Sequence, residues 1–228
     1  GNWNPFNELN HVKTGSHFGF INSTERDKNE APPLVEPTID IPHPWTRSVN
    51  GICFLETPEA VFEKNQLNGF GPFEGHLVGC EYDTRRLIRM SLQKVGDTYQ
   101  GAAYPLTYKE PKQGDPLLGP IACAVGPDGK LYIGCIRDSG WGGANNIGSI
   151  AKVEFERPHE MPSGIAEVIA RRDGFMIEFT KGPFARLDVG KMIDPETYSV
   201  VAYTRKSTPS YGGADVDRHQ VKLKDFVG

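Results

Sequence analysis

The chain has 228 residues, with 25 Lys and Arg set against 29 Asp and Glu, a formal net charge of −4 and a pI near 5.9. That balance argues against nucleic acid as the main partner, which would want a basic face. No apolar stretch nears the roughly 18–20 residues of a membrane span, and the length suits one large or two small domains. The 26 glycines and 18 prolines fall between short apolar runs, which is all-β punctuation. No signal peptide opens the chain, and a start at Gly1 inside a polar loop leads us to expect a piece of something longer.

Residues 1–50 read as loop-rich. Asn7 to Val12 leads into Gly15-Ser16-His17-Phe18-Gly19-Phe20. Pro32, Pro33, Pro37, Pro42 and Pro44 then stiffen a segment that cannot sit in a central strand. His11 and His17 have no partner at metal spacing, so loop packing is expected for both. Thr57-Pro58-Glu59 is a helix start, with a hydroxyl cap, proline in the first turn and an acid beside it, and predicts a helix to about Asn65. Strands are expected near 76–82, 86–93 and 98–104. Arg85, Arg86 and Arg89 read as a solvated edge, with an anion site as the alternative.

An apolar run, Ile121 to Val125, meets the turn Gly126-Pro127-Asp128-Gly129, and a second run, Leu131 to Ile136, comes after it. Proline presets φ at the turn's second position and Gly129 supplies positive φ, so a hairpin is expected. The alternating strand Ser149 to Phe155 completes a sheet. Between them, the loop 137–146 combines Arg137, Asp138, Trp141, Asn145 and several glycines. An Arg–Asp pair, an indole able to stack on a sugar ring and backbone open to close approach suit a ligand or cofactor. A long turn whose Trp packs on the neighbouring sheet fits equally.

The pattern repeats. Leu77-Val78-Gly79-Cys80 matches Tyr132-Ile133-Gly134-Cys135, Leu87 to Leu92 matches Ile150 to Phe155, and Gly51 to Leu55 matches Pro120 to Ala124. Sheets of three or four strands recurring at roughly 40–55 residues point to about three propeller blades over residues 1–157, with a β-sandwich as the competing reading. Residues 158–164 read as a linker. Beyond it, runs at 165–170, 175–179, 198–203 and 219–223 suggest an immunoglobulin-like β-sandwich over 165–228 that is either small or truncated. Cys53, Cys80, Cys123 and Cys135 each lie in a predicted buried strand without zinc spacing, which favours free thiols over disulfides and leaves the redox compartment open.

The run Glu8-Leu9-Asn10-His11-Val12-x-x-Gly15-x-His17-Phe18-Gly19-Phe20, with the Pro127-Asp128-Gly129 turn and the strand ending Gly148-Ser149-Ile150-x-x-Val153, resembles the glucose/sorbosone dehydrogenase family. The resemblance implies the C-terminal part of a six-bladed propeller that oxidises sugars with pyrroloquinoline quinone (PQQ) and calcium, in a secreted or periplasmic protein carrying an immunoglobulin-like module. It places Gly1 and Asn2 in the calcium-binding loop, and the family's catalytic histidine N-terminal to this chain. It also implies a sugar as substrate, and the missing blades or a c-type cytochrome domain as partners. The positions where the family carries cofactor-binding cations hold Gly119, Ile121 and Asp83 here. A non-catalytic propeller serving as a carbohydrate- or protein-binding scaffold is the alternative function.

Overall fold

The computed structural model describes residues 6–18, 33–42, 45–61, 69–107, 116–137, 147–153, 164–180, 188–204 and 215–224. These residues form an all-β structure of small antiparallel sheets. Strands β3 (Val49–Phe54), β4 (Leu77–Glu81), β5 (Arg86–Val95) and β6 (Thr98–Pro105) make a four-stranded meander. Strands β7 (Pro120–Val125), β8 (Leu131–Arg137) and β9 (Ile147–Val153) make a three-stranded one. Three two-stranded sheets complete the set: β1 (Phe6–Leu9) with β2 (Ile39–Pro42), β10 (Ile165–Arg171) with β11 (Gly174–Phe179), and β12 (Val201–Thr204) with β13 (Val216–Gln220).

The four-stranded sheet sits at the centre because both of its faces are apolar. Side chains alternate across a strand, so Val78, Cys80 and Leu87 point one way while Leu77, Ile88 and Met90 point the other. The first set packs with Leu131, Ile133, Cys135 and Ala151 of the three-stranded sheet. The second packs with Ile39 and Ile41 of β2 and with Leu9 of β1. Val78, Cys80 and Ile88 are fully excluded from water, and truncating a side chain such as Ile88 to Ala costs about 2–5 kcal/mol.

The expected hairpin is present. Gly129 adopts φ of 73°, its N–H donates to Gly126 O over 2.9 Å, and Asp128 accepts from Lys130 N at 3.2 Å and from the Tyr132 hydroxyl at 2.8 Å. The strand pairing keeps the match of 77–80 with 132–135 and shifts the two flanking matches by one residue. Val78 and Ile133 are equivalent, and they pair with Cys53 and Cys123 respectively, so those two cysteines occupy equivalent places. Likewise Gly79 and Gly134 pair with Ile88 and Ile150. Cys80 and Cys135 then match as well.

Two inward-turned carboxylates peg the turns of the central sheet. Glu81, fully buried, accepts from the backbone N–H of Arg47 (2.9 Å), Ser48 (2.6 Å) and Thr84 (2.5 Å) and from the Thr84 hydroxyl. Glu74 does the same for Thr57 N–H (2.6 Å), the Thr57 hydroxyl (2.8 Å) and Phe70 N–H (3.1 Å). Helix at the Thr57-Pro58-Glu59 start covers 59–61, with Val61 N–H bonded to Pro58 O; its predicted continuation lies outside the described residues.

In the C-terminal third, the predicted strands at 165–170 and 175–179 are β10 and β11, and those at 198–203 and 219–223 shift to β12 and β13. A short helix, α1 (Val189–Ile193), adds an element that the strand pattern does not predict. Asp188 caps it through Lys191 N–H, and Asp194 caps the single turn after it through Glu196 N–H.

Strands β3 and β7 approach so closely that side-chain volume is excluded between them. A Cβ on Gly51 would stand 2.6 Å from Ala122 Cα and 2.7 Å from Ile121 O. We therefore expect Gly51→Ala to lose about 2 kcal/mol in urea unfolding, because backbone has to move. Gly174→Ala, where nothing lies within 4 Å, serves as the neutral reference, and equal midpoints for the two variants would contradict the β3–β7 contact.

Candidate functional site

The tip of the β5–β6 hairpin and the segment 11–16 enclose an open groove of about 530 Å³. Ten-residue β5 and eight-residue β6 are fully paired from Ile88–Pro105 to Val95–Thr98, so the tip is a stiff platform. Over it, His11 sets its ring edge-on to Tyr99, with centroids 5.0 Å apart and planes at 78°. Its Nδ1 lies 3.4 Å from the Thr98 hydroxyl. Lys13 Nζ reaches Asp97 at 2.9 Å and holds that exposed carboxyl below the usual carboxylate range. Lys13 and Ser16 close a small turn, with Lys13 N–H donating to Ser16 Oγ over 3.1 Å and Ser16 N–H to Lys13 O over 3.0 Å. The bonds Thr38 N–H to Leu9 O and Val35 N–H to His17 O, both 2.8 Å, bring Glu36 to the rim.

This lining combines an aromatic ring with an imidazole, an ammonium, a carboxylate, a hydroxyl and the Gln100 amide. Such a set suits a ligand that is apolar on one face and rich in hydroxyls at its edge. His11 packs from the loop onto the Tyr99 ring, as expected, and in doing so lines the aromatic side of the groove. Among the described residues no group of three or more His, Cys, Asp or Glu is placed to hold a metal ion.

A second polar assembly lies inside the molecule, and it corrects the reading of Arg89 as a solvated edge. Arg89 is 3% exposed. Its guanidinium lies between the rings of Phe73 and Tyr104, at 4.0 and 4.1 Å from their centroids. It donates to His76 Nδ1 at 2.7 Å, to Ala166 O at 2.5 Å and to Ile165 O at 3.0 Å. Further along β10, Val168 N–H donates to the Tyr104 hydroxyl (2.7 Å), which also bonds Ser91 Oγ (2.9 Å). The Gln93 amide then donates to Ala170 O (3.0 Å) and accepts from Ala170 N–H (3.1 Å). Side chains of the central sheet thereby replace a neighbouring strand along one edge of β10. Arg89 shares a face with Leu87 and Ser91, and that period of two was the available signal for its burial.

Burial and the adjacent Arg89 charge push His76 down from 6.5 to about 4, so its Nδ1 is free to accept the arginine's bond. Burial, and then the Glu178 charge, push Glu167 up, while Arg89 and the Ser91 hydroxyl oppose them.

Of the predicted site residues, Gly1, Asn2, Asp138, Trp141 and Asn145 lie outside the described residues, as does the side chain of Arg137, whose backbone ends β8 opposite Ile147. Gly119 is buried against Ile136 O, Ile121 is half-buried on β7, and Asp83 is exposed with Arg47 at 3.3 Å. These positions offer a tricarboxylate such as PQQ no cation, so they do not fit that group.

No protein-family model, curated protein or solved structure matches this chain.

The unfolded chain protonates His76 below about 6.5 but the folded chain only near 4, so the unfolded state binds more protons between these values. Stability from this group is present above pH ~6.5 and falls as pH drops toward 4, by about 3 kcal/mol. Glu167, raised in the folded state, works in the opposite sense. In His76→Gln, whose amide oxygen still accepts from Arg89, the acid loss shrinks. An acid profile identical to wild type, read from urea midpoints across this range, would mean that His76 is not the group responsible.

Proposed function

We propose that this chain belongs to a β-propeller scaffold that binds carbohydrate in the groove at the β5–β6 tip. The observation that carries the reading is Tyr99, fixed on a stiff hairpin, with His11 against its ring and Lys13, Glu36, Thr98 and Gln100 around the same open groove. Aromatic rings stack on the C–H faces of sugars while flanking side chains bond the hydroxyls. The propeller part draws support from two successive meanders whose first strands, β3 and β7, lie side by side. On this reading residues 165–228 are a small immunoglobulin-like module, and the protein acts outside the cell.

The sugar-dehydrogenase reading has one observation in its favour. The segment 8–20, which carries the resemblance to that family, contributes His11, Lys13, Gly15 and Ser16 to the groove. It places the catalytic histidine, the remaining cofactor contacts and the cytochrome partner outside this chain, while Gly119, Ile121 and Asp83 leave the cofactor's carboxylates without counter-charge here. We therefore favour binding over oxidation for this portion.

A glycan array followed by calorimetric titration of the best ligand tests the proposal. We expect saturable binding, weakened about tenfold or more in Tyr99→Ala; because the half-buried ring also packs against His11, a thermal melt checks that the variant is folded. A PQQ titration with and without calcium runs beside it. No glycan bound at all, or full binding by Tyr99→Ala, would overturn the carbohydrate reading. Calcium-dependent PQQ binding would restore the dehydrogenase one.

A further inference from the structure

The seam between the two larger sheets brings cysteines together. Cys53 on β3 and Cys123 on β7 occupy equivalent places in the repeat, and each faces the shared core. The missing Cβ of Gly51 lets the two backbones close in beside them. Cys53 pairs with Val78 across the central sheet, and Cys123 Sγ reaches that same residue's carbonyl at 3.7 Å. The Cys53 and Cys123 side chains therefore converge on Val78.

We propose that Cys53 and Cys123 are a redox pair that closes into a disulfide, joining β3 to β7 and so one sheet to the next. Exposure selects this pair from the cluster. Cys53 and Cys123 are half-buried, whereas Cys80 and Cys135 are enclosed in the core. While the chain folds, a small-molecule disulfide, R–S–S–R, keeps access to the outer two after the inner two are enclosed. One cysteine thiolate attacks the oxidant, breaking its S–S bond, forming a mixed disulfide and releasing R–SH. The second cysteine then attacks the cysteine sulfur of that mixed disulfide and releases the other R–SH. Two protein thiols and one external disulfide become one protein disulfide and two external thiols.

The chemistry sets when this happens. The neighbouring Cys123 thiol and burial push Cys53 up; the Cys53 thiol lowers Cys123, but the Cys80 thiol and burial outweigh it and push Cys123 up to about 12. In the folded protein both are therefore protonated and slow to exchange. The pair reports the redox environment in which the chain folds. It closes a loop of about 70 residues, which raises the melting temperature by about 10 °C where native geometry tolerates it.

The test uses the full chain, denatured and reduced, then refolded in a mixture of reduced and oxidised glutathione, so that thiol access does not limit the result. Remaining thiols are blocked with an alkylating agent, and the protein is digested and mapped by mass spectrometry. We expect a Cys53–Cys123 cross-linked peptide, a mass lower by two hydrogens, and a melting temperature that falls on reduction. Cys80→Ala keeps the cross-link and Cys53→Ser loses it. A folded protein with all cysteines alkylated, or a bridge that uses Cys80 or Cys135 instead, would overturn the proposal. The wild-type peptide map decides the matter if a variant does not fold.

Discussion

A guanidinium removed from water dictates the arrangement around it. Arg89 cannot lose its charge, so every donor it takes into the interior has to find an acceptor. Its solution fixes several elements at once: the imidazole of His76 kept neutral, the rings of Phe73 and Tyr104 above and below, and the carbonyls of Ile165 and Ala166 in front. Two of those acceptors are main-chain oxygens of β10. The charge therefore determines where the β10–β11 hairpin docks as well as how the central sheet is covered. Removing one member of such a set leaves the rest buried without partners, which is why these groups act as a unit.

The same logic governs the turns. Glu81 and Glu74 are carboxylates turned inward onto backbone N–H groups that the strands leave unpaired. A meander with two apolar faces needs tight turns, since loose ones would let register slip and carry a whole face to the wrong side. Fixed register then puts Leu77, Ile88 and Met90 against the β1–β2 pair, and Val78, Cys80 and Leu87 against the three-stranded sheet. Packing on each face and polar pegging at each end support one another.

Much of this is legible in the sequence where the signal is local. Alternating apolar residues and the Pro127-Asp128-Gly129 turn mark β4 to β8 within a few residues, because strand period and turn stereochemistry are properties of neighbours. The features that sequence patterns miss depend on partners far along the chain. Arg89 reads as an exposed charge until carbonyls at 165 and 166 arrive to accept it. The middle strands of the repeat align correctly, but the flanking ones align one residue out of step, since similar apolar letters cannot say which residue lies opposite which. Helix α1 is too short to show a period, and only the Asp188 cap marks it. The groove is half legible: His11 stands out, but Tyr99, which gives it meaning, reads merely as part of a strand. The loop 137–146 has the most functional composition in the sequence and lies largely outside the described residues.

The groove's two walls are held with unequal force, and that inequality bears on what it can do. One wall is a hairpin with continuous backbone pairing. The other, segment 11–16, touches that hairpin through an exposed Lys13–Asp97 pair, a long His11–Thr98 contact and one ring edge, while stronger backbone bonds fix its flanks at Leu9 and His17. Exposed ion pairs contribute roughly 0–1 kcal/mol. A ligand that offers its own hydroxyls to Lys13 and Thr98 can therefore replace these contacts at little cost and keep the anchored flanks in place. On the proposed carbohydrate-binding reading, an arrangement rigid where the ring is presented and yielding where polar groups must adapt would suit a range of hydroxyl-rich ligands over a single tightly specified shape.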